Sequence, residues 1–201
     1  MKKHLTADEI LQLIESTDGT VSRFVLQDQA LVKEMILALE KTKSTPARWL
    51  LCTVLGDRHA KSAVRVLIRH LADSDLTVRC YSAESLGKIG DPKAGPALLA
   101  LFKKKQPRAL RSTLAVVMGP IHYQPAVPRL IRALADEDGG VRGCAAWSLG
   151  LLLAPESVPA LKQALAVETH HWAKKTICEM RWRRLLKRKN NLPACCSKLI
   201  V

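Results

Sequence analysis

Aromatic side chains are scarce, with two Phe, two Tyr and four Trp in 201 residues. A core must therefore be built from Leu, Val, Ile and Ala, which favours close helix packing over a β-sandwich rich in aromatic and β-branched residues. Long apolar runs are also missing. The best candidate, Cys144 to Ala154, falls well short of the roughly 20 residues a bilayer crossing needs and contains Trp147 and Ser148. Behind the basic start Met1-Lys2-Lys3 no hydrophobic stretch follows, because Asp8 and Glu9 interrupt it; no secretory signal is expected. The six Cys lack disulfide-scaffold spacing. Cys52, Cys80, Cys144 and Cys178 fall within helix-like segments and read as reduced, core-filling residues of a cytoplasmic protein.

The marks of catalysis are absent too. There is no Gly-rich phosphate loop, Ser nucleophile elbow or paired-carboxylate arrangement. His170, His171 and Cys178, with Cys195 and Cys196 beyond, could offer soft ligands, but their spacing matches no zinc motif. No catalytic, cofactor or metal residue is assigned, and a non-enzymatic role is the first expectation.

What is present is a repeat. Leu55-Gly56, Leu86-Gly87, Met118-Gly119 and Leu149-Gly150 recur every 31 or 32 residues. Eight residues before each Gly stands an Arg, namely Arg48, Arg79, Arg111 and Arg142. Each unit reads as two helices. The first runs from just before the Arg to the Gly, with a small residue at its centre (Cys52, Ala83, Ala115, Ala146) that lets backbones approach. Gly is expected to end it. The second opens seven to nine residues later, with Pro96, Pro128 and Pro159 in the first turn, where a missing N–H costs nothing. Its apolar stripe has helical spacing: Val64, Leu67, Ile68, Leu71 in one unit and Val127, Leu130, Ile131, Leu134 in another. Lys162 interrupts the stripe in the last unit.

A helix pair cannot bury both its faces, so such units stack. The expected fold is all-α, a right-handed α-α superhelix of about five helix pairs. Residues 1–43 form irregular N-terminal helices capping the array, 44–168 the repeats, and 169–201 a basic C-terminal capping helix and short tail. Within the cap, Trp172, Ile177, Met180, Leu185 and Leu186 are expected to cover the last apolar face.

Three stretches carry a family resemblance: Leu71 to Arg79, Ala83 to Ala94 with its Gly87-Lys-Ile-Gly-Asp-Pro, and Ala126 to Asp136. They closely resemble the HEAT-like repeats of the phycobilin-lyase type over residues 44–168. The resemblance implies an Asp before each first helix pairing with its Arg to form a ladder. Asp73 with Arg79 and Asp136 with Arg142 match this pattern, and these Arg should be partly buried against Asp73 and Asp136 or a neighbouring repeat's equivalent. Lys105 before Arg111 and Thr42 before Arg48 depart from it, so the ladder should break there. Such a motif transfers fold rather than activity. The helical-repeat deoxyhypusine hydroxylases hold iron with His-Glu pairs, and none of the six His here precedes Glu. The HEAT-like DNA glycosylases place Trp and Asp on a basic concave surface, but Trp49 and Trp147 lie on first helices, where large side chains pack between repeats. Bilin lyase-like chemistry stays as an alternative.

Charge is the remaining signal. The net is +14, and it permits a polyanionic partner without bearing on fold. Residues 1–100 carry 14 Lys and Arg against 12 Asp and Glu, whereas 101–201 carry 18 against 6. Lys103, Lys104, Lys105, Arg108 and Arg111 form one cluster. Lys174, Lys175, Arg181, Arg183, Arg184, Lys187, Arg188 and Lys189 form a second, a candidate polyanion patch opposed only by Glu179. Second helices of such an array line its concave face, which makes Arg65, Arg69, Lys104, Arg129, Arg132 and Gln163 a candidate binding face. The leading expectation is a scaffold or adaptor that grips a partner protein there. Nucleic-acid binding by the basic half is the alternative from another class.

Overall fold

The computed structural model describes residues 5–16 and 28–177 of the chain. All regular structure among them is helical, and it falls into five helix pairs. The first pair is α1 (Ala7–Ser16) with α2 (Val32–Lys41), which is entered through a 3-10 turn at Gln29–Leu31. The repeats follow as α3 (Thr45–Asp57) with α4 (Val64–His70), α5 (Leu76–Ile89) with α6 (Gly95–Phe102), α7 (Arg108–Val117) with α8 (Val127–Ala133), and α9 (Gly139–Leu152) with α10 (Val158–Val167). A further helical segment occupies 171–177. The chain divides into two compact units, Met1–Leu98 and Leu99–Val201. In the first, α3 packs most extensively against α5; in the second, α7 packs against α9. No helix among the described residues is long and apolar enough to cross a membrane.

Local sequence explains the boundaries. Ser44, Asp75 and Asp138 sit at the N-caps of α3, α5 and α9, where each side chain accepts a hydrogen bond from a first-turn N–H, those of Ala47, Val78 and Val141. Such caps satisfy donors that no helix can satisfy internally. The second helices of the repeats each begin with a 3-10 turn, at 61–63, 92–94, 124–126 and 155–157. Pro128 and Pro159 stand in the first turn of α8 and α10 as expected.

The small central residues Cys52, Ala83, Ala115 and Ala146 are wholly buried. On the second helices, Leu67, Leu98, Phe102 and Leu130 are buried as well. Only Leu161 is buried on α10, and Lys162 is exposed, so cover thins where the apolar stripe is interrupted. In 171–177, Ala173, Thr176 and Ile177 are buried while Trp172 stays 45% exposed. Met180, Leu185 and Leu186 lie outside the described residues.

In three of the four repeats the Gly does not end the first helix, which corrects the expectation there; α7 ends at Val117, just before Gly119. Helices α3, α5 and α9 run past Gly56, Gly87 and Gly150. The left-handed residue comes three positions later, at His59 (φ 50°), Gly90 (φ 71°), His122 (φ 52°) and Leu153 (φ 53°). The repeated Gly serves a close approach instead. A Cβ on Gly56 would lie 2.6 Å from Ser85 Cβ and 2.7 Å from its Cα; one on Gly119 would lie 3.0 Å from Ser148 Cα. The two serines use that proximity. Ser85 Oγ donates to the Cys52 carbonyl at 2.8 Å, and Ser148 Oγ donates to the Ala115 carbonyl at 2.6 Å. The Gly119 N–H donates to Ser148 Oγ at 3.2 Å. Consecutive first helices are thus stitched side chain to backbone in each unit.

Candidate interaction face

The loops before α5, α9 and the 171–177 segment each place a carboxylate beside the previous repeat. Asp73 Oδ1 accepts the N–H of the cap residue Asp75 at 2.9 Å, and Asp136 Oδ1 accepts that of Asp138 at 3.0 Å. Glu168 Oε1 does the same for His170 at 2.8 Å. A carboxylate held by such a turn is fixed in orientation before any cation reaches it.

The cation that reaches it comes from the preceding repeat. Arg48 Nε lies 3.1 Å from Asp73 Oδ2. Arg111 Nη2 donates to Asp136 Oδ1 at 2.9 Å and to Glu137 Oε1 at 2.8 Å. Arg142 grips Glu168 with two bonds of 2.7 Å, from Nε and Nη2. Within its own loop each Arg also donates to carbonyls: Arg79 to those of Asp73 (2.7 Å) and Ser74 (2.9 Å), Arg142 to those of Asp136 (2.8 Å) and Glu137 (3.1 Å). The ladder therefore runs from one repeat's Arg to the next repeat's acid, 25 or 26 residues on. It does not break at Arg48 or Arg111, contrary to the sequence pattern. Among the described residues Arg79 is the rung with no carboxylate, and 25 and 26 residues beyond it stand Lys104 and Lys105.

Electrostatics follow the geometry. The hydrogen bond from Arg142 holds the Glu168 carboxyl below the usual carboxylate range, and the one that Arg111 donates to Asp136 raises the pKa of Arg111. The side chain of Glu168 is 1% exposed against 19% for Arg142, so the bond is nearly dry and charge-assisted, the stronger kind. Burial also pushes the thiols of Cys52 and Cys144 up to about 11, which keeps both protonated and poor nucleophiles at neutral pH.

The residues expected on the binding face fare differently. Arg65 and Arg69 on α4 are exposed, but Arg69 is paired with Glu40. In the second unit, Arg132 on α8 and Gln163 on α10 are exposed. Lys104 is exposed in the loop after α6 rather than on a second helix. Arg129 is turned inward: its Nε donates to the Phe102 carbonyl at 2.9 Å, and its guanidinium lies 4.2 Å from the Phe102 ring centroid. That is a packing role, with burial lowering its pKa. Arg65 and Arg132 meet no carboxylate among the described residues. Of the polyanion patch, Lys174 and Lys175 are exposed; Arg181, Arg183, Arg184, Lys187, Arg188 and Lys189 lie outside the described residues. Trp49 stacks on Tyr81 at 5.5 Å between centroids, occupied by the neighbouring repeat.

Sequence reasoning missed a cavity in the second unit of about 330 Å³, lined by Arg108, Ala109, Ser112, Asp138, Gly140, Cys144 and Trp172. Its signal was the run Gly139-Gly140-Val-Arg-Gly143 in the opening of α9, an expensive composition for a helix. Gly139 and Gly143 are explained by His170 and Trp172, which pack against them where any Cβ would stand.

These observations amount to a helix-pair array with an internal Arg–carboxylate ladder, and the comparisons assign it. The family model described as HEAT repeats matches residues 32–119 and 105–180. The chain belongs to the HEAT-repeat family. Among curated relatives, this HEAT-repeat chain is 36% identical over 106 residues to the phycocyanobilin lyase subunit alpha of Nostoc sp. strain PCC 7120. That match covers 49% of this chain and 38% of the relative. Among solved structures, it resembles a chain from the complex of CpcE and CpcF of phycocyanin lyase from Nostoc sp. PCC 7120, with TM-score 0.63 and 20% identity. The alignment covers 77% of this chain and 99% of that one. An engineered protein is similar at TM-score 0.58 and 16% identity, over 87% of this chain and 94% of its own. Both likenesses are likenesses of fold.

Proposed function

We propose that the protein is a non-enzymatic adaptor that binds a partner protein through the exposed faces of its second helices. The observation that carries this reading is a division of labour among the arginines. Arg48, Arg111 and Arg142 are taken up by the ladder, whereas Arg65 and Arg132 stand exposed on second helices with no carboxylate among the described residues. Exposed cations of this kind attract acidic surfaces and speed their encounter. The test compares wild type with Arg65→Glu/Arg132→Glu in affinity capture with mass spectrometry, with and without nuclease. Protein partners that survive nuclease and are lost in the double variant support the adaptor. Signal that vanishes with nuclease supports a nucleic-acid role for the basic half instead, including Lys174 and Lys175.

A second reading, a subunit of a bilin lyase-type complex, is favoured by the similarity to the phycocyanobilin lyase subunit. On that reading the partner is a second helical-repeat chain and the cargo a bilin. A coloured chromophore that co-purifies with the capture complex separates this reading from a plain adaptor.

A further inference from the structure

The second unit carries a surface that neither the ladder nor the second-helix face uses. Its first element is the loop between α6 and α7, Lys103-Lys104-Lys105-Gln106-Pro107, followed by Arg108. All four cations are exposed. The loops before α5 and α9 occupy the same place in the repeat and carry Asp73 with Asp75, and Asp136 with Asp138, which cap and pair internally. Here Lys105 stands in place of Asp73 and Asp136, and Pro107 in place of Asp75 and Asp138, so α7 follows an N-cap that offers no side-chain hydrogen bond. The replacement forfeits the local stabilisation that a side-chain cap supplies. Departures from a repeat's own self-satisfying pattern concentrate where function requires them.

The second element is the cavity of about 330 Å³ that Arg108 lines. Its volume lies near the low end of the roughly 300–1,000 Å³ typical of small-molecule sites. Trp172 stands at its edge, 45% exposed, and is the single aromatic among the large exposed hydrophobic residues described. One edge of the ring packs on Gly143, where no side chain fits, and the rest of the ring is left for contact. Gly140 also lines the cavity, and a Cβ there would lie 2.9 Å from Asp138 Oδ1. Asp138 holds Arg108 at the rim. A hollow of mixed lining, with Ala109, Gly140 and Cys144 beside Arg108, Ser112 and Asp138 and a half-exposed Trp at its edge, next to a loop of exposed lysines, offers both an anchor and a charged rim to a partner.

The geometry points to a docking site for an acidic protein segment carrying one large apolar side chain, which enters the cavity against Trp172 while its carboxylates meet Lys103, Lys104 and Lys105. A protein segment is favoured over nucleic acid because the cations sit on one short loop beside a hollow. A polynucleotide is held by an extended basic track with several stacking aromatics. The site lies on first helices, so it is separate from the second-helix face, although it rests on the same reading of the protein as a partner binder.

The experiment uses the full chain and a fluorescein-labelled peptide, Glu-Glu-Asp-Trp-Asp-Glu-Glu. Comparators are the same peptide with Ala for Trp and a short single-stranded oligonucleotide. The expected result is saturable peptide binding, weakened about ten-fold by Lys103→Gln/Lys104→Gln/Lys105→Gln and about ten-fold by Trp172→Ala, as for central interface residues. The Ala peptide is expected to bind more weakly than its parent, and the oligonucleotide not to displace it. Because Trp172→Ala also unpacks α9, Ala109→Gln, an exposed substitution at the cavity mouth, is the second probe and should weaken binding with unchanged melting. Arg65→Glu/Arg132→Glu should leave the peptide affinity unchanged. Equal binding by wild type, the lysine variant and Ala109→Gln overturns the site. Dependence on Arg65 and Arg132 alone also overturns it, while leaving the second-helix adaptor standing.

Discussion

The loops before α7 and α9 belong to one unit and occupy the same place in successive repeats, yet they solve opposite problems. The loop at 136–138 is self-contained: Asp136 fixes the turn and receives Arg111, and Asp138 caps α9. The loop at 103–107 is open, with three exposed lysines, no carboxylate and no side-chain cap. Charge that is consumed in one is displayed in the other. Among the described residues, Arg48, Arg111 and Arg142 pair with acids of the next repeat, whereas Arg65, Arg132 and Lys103, Lys104 and Lys105 stand exposed.

Breaking the consumed side should have the largest effect. Arg142→Ala removes two short bonds to Glu168 and strands a nearly buried carboxylate. Unfolding in urea should show a loss of about 3 kcal/mol, near the low end for breaking a buried pair because Arg142 keeps some solvent. Arg79→Ala gives up only carbonyl contacts and should cost about 1 kcal/mol. Equal losses would erase the distinction between the two rungs. Next in size is Gly56→Ala. Ala is ordinarily better than Gly in a helix by about 1 kcal/mol, but here its Cβ would press on the Ser85 backbone, and overpacking of that kind costs about 1–3 kcal/mol. A net loss is expected in thermal unfolding.

The pH dependence sharpens the same contrast. The folded-state pKa of Glu168 is depressed by Arg142, so its stabilising contribution is complete above the unfolded value of about 4.3 and is lost as pH falls through the lower folded value. Stability followed from neutral pH downward should fall less steeply in Glu168→Gln than in wild type. Substituting Lys103, Lys104 and Lys105 should change the neutral-pH stability by no more than about 0.5 kcal/mol, as for ordinary surface positions. The smallest expected effect is a gain. Leu153 holds a left-handed conformation (φ 53°) while half exposed; Leu153→Gly should stabilise by about 0.5–1 kcal/mol, the relief of strain less the entropy of Gly.

Much of this was legible in the sequence. The Arg-to-Gly spacing and the positions of Pro128 and Pro159 placed the four repeats, and the central small residues are as buried as the pattern implied. Three things were not legible. Gly56 and Gly119 looked like helix terminators because Gly favours left-handed backbone, whereas the need they meet is room for Ser85 and Ser148 from the next repeat. The sequence left the ladder open between an acid of the same repeat and a neighbouring repeat's equivalent; the carboxylate pairing crosses repeats, and the 25-residue offset from Arg48 to Asp73 and from Arg111 to Asp136 decides it. The cavity beside Cys144 needed the fold, since Trp172 reaches Gly143 from 29 residues away. Arg129 looked like a surface cation, but the Phe102 ring and carbonyl capture it, a contact no local pattern signals.

The claim that the repeated arginines are structural is tested most directly by a double-mutant cycle on Arg142 and Glu168, with Arg142→Ala, Glu168→Ala and the double variant unfolded in urea. The account predicts a coupling of about 1.5–3 kcal/mol, as expected for a charge-assisted, nearly buried pair. A coupling within about 0.3 kcal/mol of zero would contradict it and return Arg142 to the pool of cations available to a ligand.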